Sequence, residues 1–581
     1  MERTPGFENL AVIKRDYQWY DLKSRKYGPR KNNQRYCGGV PLLYDSEIKR
    51  VYVDSTDTHT LVYGATGSLK TRSIVMPTIK LLGQAGESMI INDAKGELYN
   101  RLAGELQELG YNIVVINLRE PSKGNCWNPL YLPYHFYLMG DIDRACEFIN
   151  DIAINLTNDE STSKDPFWDN SAADLAFGLI LLLFKYCKEN NEDISAVNIS
   201  NVLALRRKLF SSGGPVPGLN QRPKDTSIWK YASQDELIAA RLSGSVFAPN
   251  DTMNSILSTF DNKMSIFSLQ PTLLTMLANN DFDIAEIGQK KTVLFMVIPD
   301  EKTTFSALCS LFIKQSYEYL IFTAMQTGHK TVENRVNYCL DEFSSLPSIA
   351  DFPAMVTAAR SRDIRFLLVV QSQSSLKRKY KEDADTIISN CSNWIFFTSR
   401  ELGLLRELSE LCGMQKNNNR PNISTYDLQH LSKKSREALL LCGRYKPARV
   451  SMIDIDNQYF SGNSYEILSM PEGNRVERKA LDFTGLSDTH ESPDSSSGLS
   501  RNFTTDYEVH TKPNIRFLPE PLSSFSDKME GPPHDSAYLD LVAKVESRLE
   551  EKEKKIPTKV EDDDQPFSLE ALLEQLENEE K

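Results

Sequence analysis

Seven short runs of apolar residues punctuate the chain: HTLVYG (59–64), SMIIND (88–93), NIVVIN (112–117), TVLFMVI (292–298), VNYCLDE (336–342), RFLLVVQ (365–371) and NWIFFT (393–398). Their hydrophobicity is continuous rather than alternating, the mark of strands buried on both faces in a parallel sheet. Helical spacing fills the intervals, as in TRSIVMPTIKLLGQAG (71–86) and ELYNRLAGELQELG (97–110). Strand–helix alternation of this kind predicts a doubly wound α/β domain.

Between residues 130 and 290 the strand signal stops and helical patterns take over, among them SAADLAFGLILLLFKYC (171–187) and TMNSILSTFDNKMSIFSL (252–269). A structureless loop of that length is implausible in a compact domain, so an inserted all-α domain is expected. The ten-residue run LAFGLILLLF (175–184) falls short of the roughly 20 residues a bilayer crossing needs. It reads as a buried helix.

From about residue 470 periodicity fades into SDTHESPDSSSGLSRNFTTD (487–506), a composition expected to be disordered. The end, FSLEALLEQLENEEK (567–581), regains helical spacing through Phe567, Leu569, Leu572, Leu573 and Leu576. Two readings stay open for it: a peptide that folds on a partner, or a frayed solvated helix.

Charge sharpens this division. The chain carries a formal net charge of −12 over 581 residues, with 67 basic and 79 acidic side chains. Residues 471–581 hold 14 basic and 26 acidic side chains, which leaves 53 of each in 1–470. The imbalance therefore belongs to the tail, and the acidic average does not argue against nucleic-acid binding by the body. The nine cysteines form no C-x-x-C pair, which disfavours a zinc site or a disulfide framework and fits a reducing compartment. The N-terminus lacks the apolar core of a secretory signal. The segment 24–35, SRKYGPRKNNQR, has five cations and no acid. It suits an anionic surface, DNA, or an ordinary solvated loop.

Candidate chemistry sits at the ends of two predicted strands. YGATGSLKTRS (63–73) follows the first strand and opens a helix; it reads G-x-x-x-x-L-K-T, one letter from the phosphate-loop pattern G-x-x-x-x-G-K-[ST]. Backbone N–H groups of such a loop and the amino end of the next helix surround phosphate oxygens. Gly64, Ala65, Thr66, Gly67, Ser68, Leu69, Lys70, Thr71 and Arg72 form the candidate ATP-binding set. Lys70 is placed to reach the β- and γ-phosphates and Thr71 to ligate Mg²⁺. Leu69 stands where glycine is usual, an arrangement tolerated if its φ is negative and costly, by about 1–2 kcal/mol, if φ is positive. VNYCLDE supplies Asp341 to hold magnesium through its water shell and Glu342 to polarise the attacking water.

With these blocks in place the chain resembles the TraG/TraD type IV coupling proteins, relatives of FtsK-like DNA translocases. The resemblance is carried by HTLVYGATGSLKT (59–71), INDAKGEL (91–98), CWNPL (126–130), DPFWDNSA (165–172), FMVIPD (295–300), the long run 340–376 and ISNCSNWIFF (388–397). It implies a RecA-like P-loop ATPase domain of class α/β with a mostly parallel sheet and an inserted all-α domain; the disordered acidic C-terminal tail, read from composition, has no counterpart in that family. The expected organisation is a nucleotide-binding domain in two parts (51–130 and 291–465), the all-α insertion (131–290), the flexible tail (466–581) and an N-terminal extension (1–50) that departs from most family members in lacking their pair of transmembrane helices. It implies a homo-hexamer that translocates single-stranded DNA carrying a relaxase, with ATP and Mg²⁺ as cofactors. Arg360 falls at the position of an arginine finger, with Arg362 as a second candidate, and Gln371 at that of a γ-phosphate sensor. Asp93, Lys95, Gly96 and Glu97 match a strand-end block expected at the nucleotide site or a subunit interface. The missing N-terminal membrane helices imply a cytoplasmic protein held at the inner face of the membrane by a membrane-embedded secretion partner. A non-secretory translocase and a low-turnover nucleotide-binding receptor remain alternatives.

Overall fold

The computed structural model describes residues 10–30, 34–157, 165–210, 222–299, 301, 305–415, 420–443, 445–460 and 467–483. The chain divides into two units, 1–500 and 501–581. The second unit, and with it most of the expected acidic tail and its terminal helix, lies outside the described residues.

Thirteen strands are described: β1 (Gln18–Asp21), β2 (Lys26–Tyr27), β3 (Val40–Asp45), β4 (Arg50–Asp54), β5 (Thr60–Tyr63), β6 (Ser88–Asp93), β7 (Asn112–Asn117), β8 (Thr292–Val297), β9 (Val336–Leu340), β10 (Ile364–Val370), β11 (Asn393–Phe396), β12 (Glu437–Cys442) and β13 (Ala448–Ser451). Nine form one sheet in the order β13-β12-β11-β5-β10-β9-β6-β8-β7. The seven predicted runs are its seven parallel strands, and β12 and β13 close one edge in antiparallel pairing. The fold is thus mixed α/β with a mostly parallel central sheet. Its strands β6, β8, β9 and β10 are buried along almost every residue, which is why their sequences run apolar without alternation.

Strands β1–β4 form a separate antiparallel sheet in the order β2-β1-β4-β3, a feature missed in the sequence because β1 and β2 are too short to show a period. A buried polar cluster ties it to the main sheet. Glu87 accepts from Gly38 N at 2.9 Å and pairs with Arg365 at 2.8 Å, while Arg365 also donates to Asn337 Oδ1 at 2.8 Å. The basic segment 24–35 belongs in part to this layer: Tyr27 donates to Leu81 O at 2.7 Å and Arg35 to Glu333 O at 2.5 Å.

Between β7 and β8 the described elements are all helical. The apolar run 175–184 lies in the helix Pro166–Glu189, capped by Asp165 accepting from Phe167 N. Its 24 residues are long and apolar enough to cross a membrane by length and composition, yet 72% of its apolar window is buried against neighbouring helices. Burial, not shortness, is what marks it as a core helix. All nine cysteines are free thiols.

Residues 467–483, assigned by composition to the start of the tail, run as an extended strap over the first unit. Gly124 N donates to Pro471 O at 2.8 Å, and Tyr99 donates to Ser469 O at 3.0 Å. Asp281 accepts from Asn474 N and from Cys126 N (2.7 Å). Asn201 then brackets the strap, donating to Lys479 O and accepting from Leu481 N, and Phe483 is buried edge-on against Tyr186. Local hydrogen-bonding side chains on the body, not periodicity in the strap, order this segment.

Candidate functional site

The carboxyl ends of β5, β10 and β9 lie side by side, and each delivers one part of the site. After β5 the chain turns at Gly64, whose N–H donates to Val370 O at 3.2 Å. A Cβ at Gly64 would meet Ser68 Oγ at 2.4 Å and Lys70 Cδ at 3.0 Å, so glycine is needed for the loop to fold over itself. Gly67 takes φ +77°, a left-handed turn that glycine adopts freely. Leu69 takes φ +71°, which places this residue on the costly branch of the sequence expectation rather than the tolerated one.

Lys70 is buried, and its ammonium donates to the loop carbonyls of Gly64 and Ala65. Burial pulls its pKa down against the opposing pull of Asp341 and Glu342. The helix begins as a π turn at Thr71–Val75 and continues as the α-helix Met76–Ala85 with Pro77 in its first turn. Proline has no N–H to offer the carbonyl five residues back, and Arg72 O accepts instead from Ile455 N at 3.1 Å. The Arg72 guanidinium also leaves the loop: it bonds Asp454 at 2.9 Å and Asp456 at 2.5 Å. Its side chain is therefore committed to the segment after β13, and any phosphate contact by Arg72 is left to its backbone.

Asp341 follows β9. Its Oδ2 accepts from Thr71 Oγ1 at 2.8 Å, and its Oδ1 accepts from Glu342 N at 3.0 Å. Burial raises its pKa, opposed by the Thr71 hydrogen bond and the Lys70 charge. Glu342 takes φ +55° and starts the 3₁₀ turn Phe343–Ser345. Gln371, at the end of β10, is exposed and accepts from Thr66 Oγ1 at 3.4 Å. The structure thus gathers Gly64 to Thr71 with Asp341, Glu342 and Gln371 in one crevice, at the strand carboxyl ends where open α/β sheets hold ligands.

Two further residues belong here. Asn92 of β6 donates to Asp341 O at 2.7 Å and is itself buried; a polar letter inside an otherwise apolar strand run was the available signal. Thr398, after β11, accepts from Ala65 N at 2.9 Å, and no sequence pattern announces a backbone carbonyl. The strand-end block shapes the start of the next helix, and the Glu97 charge acts on Asp341 and Arg72. Asp93 accepts from Tyr99 N at 2.8 Å at the start of the helix Glu97–Glu108, with Gly96 at φ +73°. Burial lifts Asp93 to about 6 despite these donors. Lys95 and Glu97 are exposed beside it.

Arg360 is not in this crevice. It follows the helix Phe352–Ala359 at the amino end of β10 and pairs with Asp57 at 3.3 Å. Seven residues of β10 separate it from the loop, about 23 Å at 3.3 Å per residue. No arginine side chain spans that distance within one chain. Arg362 donates to Lys330 O at 3.3 Å on the same edge.

The crevice fits a magnesium-bound polyphosphate. The N–H groups of Thr66, Gly67, Leu69 and Lys70 pair with no acceptor among the described residues, and Ser68 Oγ is buried without a partner there. A helix start follows at once, so donors and dipole converge on the same point. The Thr71 hydroxyl and Asp341 carboxylate are hard oxygen donors of the kind magnesium takes. Among the described residues no cluster of three or more His, Cys, Asp or Glu is grouped to hold a metal ion.

A family model described as type IV secretory system conjugative DNA transfer matches residues 20–438. No curated protein matches significantly. Among solved structures, the bacterial conjugative coupling protein TrwBdeltaN70 in a trigonal form with sulphate is 16% identical, covers 71% of this chain and 88% of its own, and superposes with a TM-score of 0.47. The plasmid coupling protein TrwB with the ATP analogue ADPNP is 14% identical over 75% of this chain and 98% of its own, with a TM-score of 0.48. VirB4 of Thermoanaerobacter pseudethanolicus is 12% identical over 74% of this chain and 100% of its own, with a TM-score of 0.41.

Proposed function

The chain belongs to the type IV secretory system conjugative DNA transfer family, and on that premise we propose that it is an ATP-hydrolysing coupling protein that moves relaxase-bound single-stranded DNA to the secretion channel. The observation that carries the ATPase reading is the Thr71–Asp341 contact beneath a loop with unpaired N–H groups. In this reading Thr71 and Asp341 hold the magnesium ion of MgATP, which when bound neutralises charge on the phosphoryl oxygens. Lys70 moves its ammonium from the loop carbonyls to the β- and γ-phosphates. Glu342 orients the attacking water and takes up its proton, and Gln371 contacts the γ-phosphate side of the crevice. Arg360, too far from its own loop, serves the loop of a neighbouring copy in a homo-hexamer. DNA is held through its phosphates, so binding falls with salt and is indifferent to sequence. The protein works on the cytoplasmic side, held at the membrane by an embedded secretion partner.

Leu69 at φ +71° supports a second reading, a nucleotide-binding receptor with little turnover. ATP hydrolysis by the full chain, with and without single-stranded DNA, separates the two. The motor reading requires DNA-stimulated turnover that Lys70→Ala and Glu342→Gln abolish. Nucleotide binding without turnover selects the receptor.

A further inference from the structure

Glu342 sits on backbone that does not hold itself. Its φ of +55° lies in the left-handed region, which a residue with a Cβ occupies only where its surroundings over-determine it. Within the loop, Glu342 N donates to Asp341 and Ser345 N donates to Glu342 O at 2.7 Å. Outside the loop, Asn92 of β6 donates to Asp341 O, Phe343 packs on Phe352 at 4.8 Å, and the helix Gln373–Tyr380 adds further contacts.

That helix grips the Glu342 loop at three points, all from its last two residues. Lys379 Nζ donates to Ser344 O at 2.7 Å. The Tyr380 ring stacks on Phe343 at 5.9 Å and 11° between planes, and Phe343 is fully buried. The Tyr380 hydroxyl accepts from Ile349 N at 3.1 Å. At its other end the helix is fixed beside the phosphate-facing edge. Its cap, Ser372, adjoins Gln371, and Glu401 accepts from Gln373 N and Ser374 N, both at 2.9 Å. The helix therefore spans from Gln371 to the backbone that aims Glu342. Lys379 is half-buried, burial lowers its pKa to about 8, and its ammonium donates to the Ser344 carbonyl.

We propose that Lys379 is a positioning residue for Glu342: its ammonium, with the Tyr380 ring and hydroxyl, locks the Ser344 carbonyl and the left-handed turn so that the Glu342 carboxylate is presented to the crevice. The proposal rests on the ATPase reading of the site. In this role Lys379 acts through the Phe343–Ser345 turn, by its hydrogen bond to Ser344 O. Loss of the clamp lets Glu342 relax out of the left-handed region, which removes the water-orienting group and leaves the phosphate-binding loop intact.

The test is a comparison of wild type, Lys379→Met, Lys379→Arg, Tyr380→Phe and Glu342→Gln as full-length proteins, reading kcat, KM for ATP, binding of a non-hydrolysable ATP analogue and the melting temperature. Lys379→Met is expected to lower kcat at least tenfold with analogue affinity within twofold of wild type. Lys379→Arg, which keeps a cation over Ser344 O, is expected to recover most of kcat. Tyr380→Phe keeps the ring and loses only the hydroxyl, so it folds and shows a smaller fall in kcat at unchanged affinity. The proposal is overturned if Lys379→Met retains full kcat, or if kcat and affinity fall together. Should Lys379→Met fail to fold, wild-type kcat in Tyr380→Phe overturns it. Absence of turnover in wild type, or turnover that Glu342→Gln leaves untouched, removes the ATPase reading itself, a different failure from the first two.

Discussion

Thr71 Oγ1 donates to Asp341 Oδ2 at 2.8 Å across 270 residues of chain, joining the helix that opens after β5 to the end of β9. The contact holds a buried carboxylate whose pKa burial has raised. Thr71→Ala leaves that carboxylate short of a donor, at about 1–3 kcal/mol. The expected outcome is a lower melting temperature together with loss of magnesium-dependent nucleotide binding. Asp341→Asn keeps an oxygen for Glu342 N and turns its amide N–H₂ to the Thr71 hydroxyl, which can accept, so it is expected to melt close to wild type while losing the same magnesium dependence. Calorimetry and nucleotide titration with and without magnesium read both effects.

Leu69→Gly relieves a left-handed backbone at φ +71°. The relief of about 1–2 kcal/mol is offset in part by the greater freedom of glycine in the unfolded chain, about 0.4–1 kcal/mol. A net stabilisation of about 0.5–1 kcal/mol is expected in denaturant unfolding. Faster ATP turnover in the same variant would mean that loop strain limits the cycle; unchanged turnover would mean that it does not.

His59 is fully buried, with Nδ1 accepting from Phe366 N at 3.0 Å and Nε2 therefore donating to Val356 O at 2.8 Å. This neutral ring ties the helix ahead of Arg360 to the sheet. Burial lowers its pKa from 6.5 to about 4, so the unfolded chain takes up the proton first as pH falls. His59 thus contributes stability that is complete above about pH 6.5 and is lost progressively toward pH 4, about 3 kcal/mol in all. His59→Leu is expected to be less stable at pH 7 and to show a flatter stability profile across this window. Parallel wild-type and variant profiles would refute the assignment.

The strap predicts where the folded body ends. A chain stopped at 466 loses the contacts of Asp281 and Asn201 with residues 474–481, and the buried ring of Phe483. The ring alone accounts for about 2–3 kcal/mol, so a chain stopped at 466 is expected to melt about 2–3 °C or more below one stopped at 483. Equal melting temperatures would show that the strap contributes nothing to the body.

Arg360 lies at the opposite end of β10 from the loop of its own chain. If it serves a neighbouring copy, Arg360→Ala and Lys70→Ala are each inactive alone, yet mixed assemblies recover part of the ATPase. No recovery on mixing, with assembly confirmed by mass, would place Arg360 outside catalysis.

Much of this was legible from letters alone. The seven parallel strands declared themselves because burial on both faces demands unbroken apolar runs, and their ends fell within two residues of the observed strands. The turn 64–71 between a strand and a helix, and the pair Asp341–Glu342 at a strand end, were legible because both are set by local spacing. The short strands β1 and β2 were not, since four residues or fewer carry no period. The strap was misread as tail because its order comes from Asp281, Asn201 and Tyr186 on other elements.

What the sequence determined by itself was therefore the local chemistry: which segments must be buried, where a phosphate loop can form, and which acids end a strand. Only the tertiary structure decided how these meet. It set the sign of φ at Leu69, turned the Arg72 side chain toward Asp454, placed Arg360 about 23 Å from its own loop and laid Lys379 on the carbonyl of Ser344. The physical reason is that burial patterns and turn spacings are properties of neighbouring residues, whereas these four outcomes depend on contacts between segments far apart in the chain. No local rule encodes them.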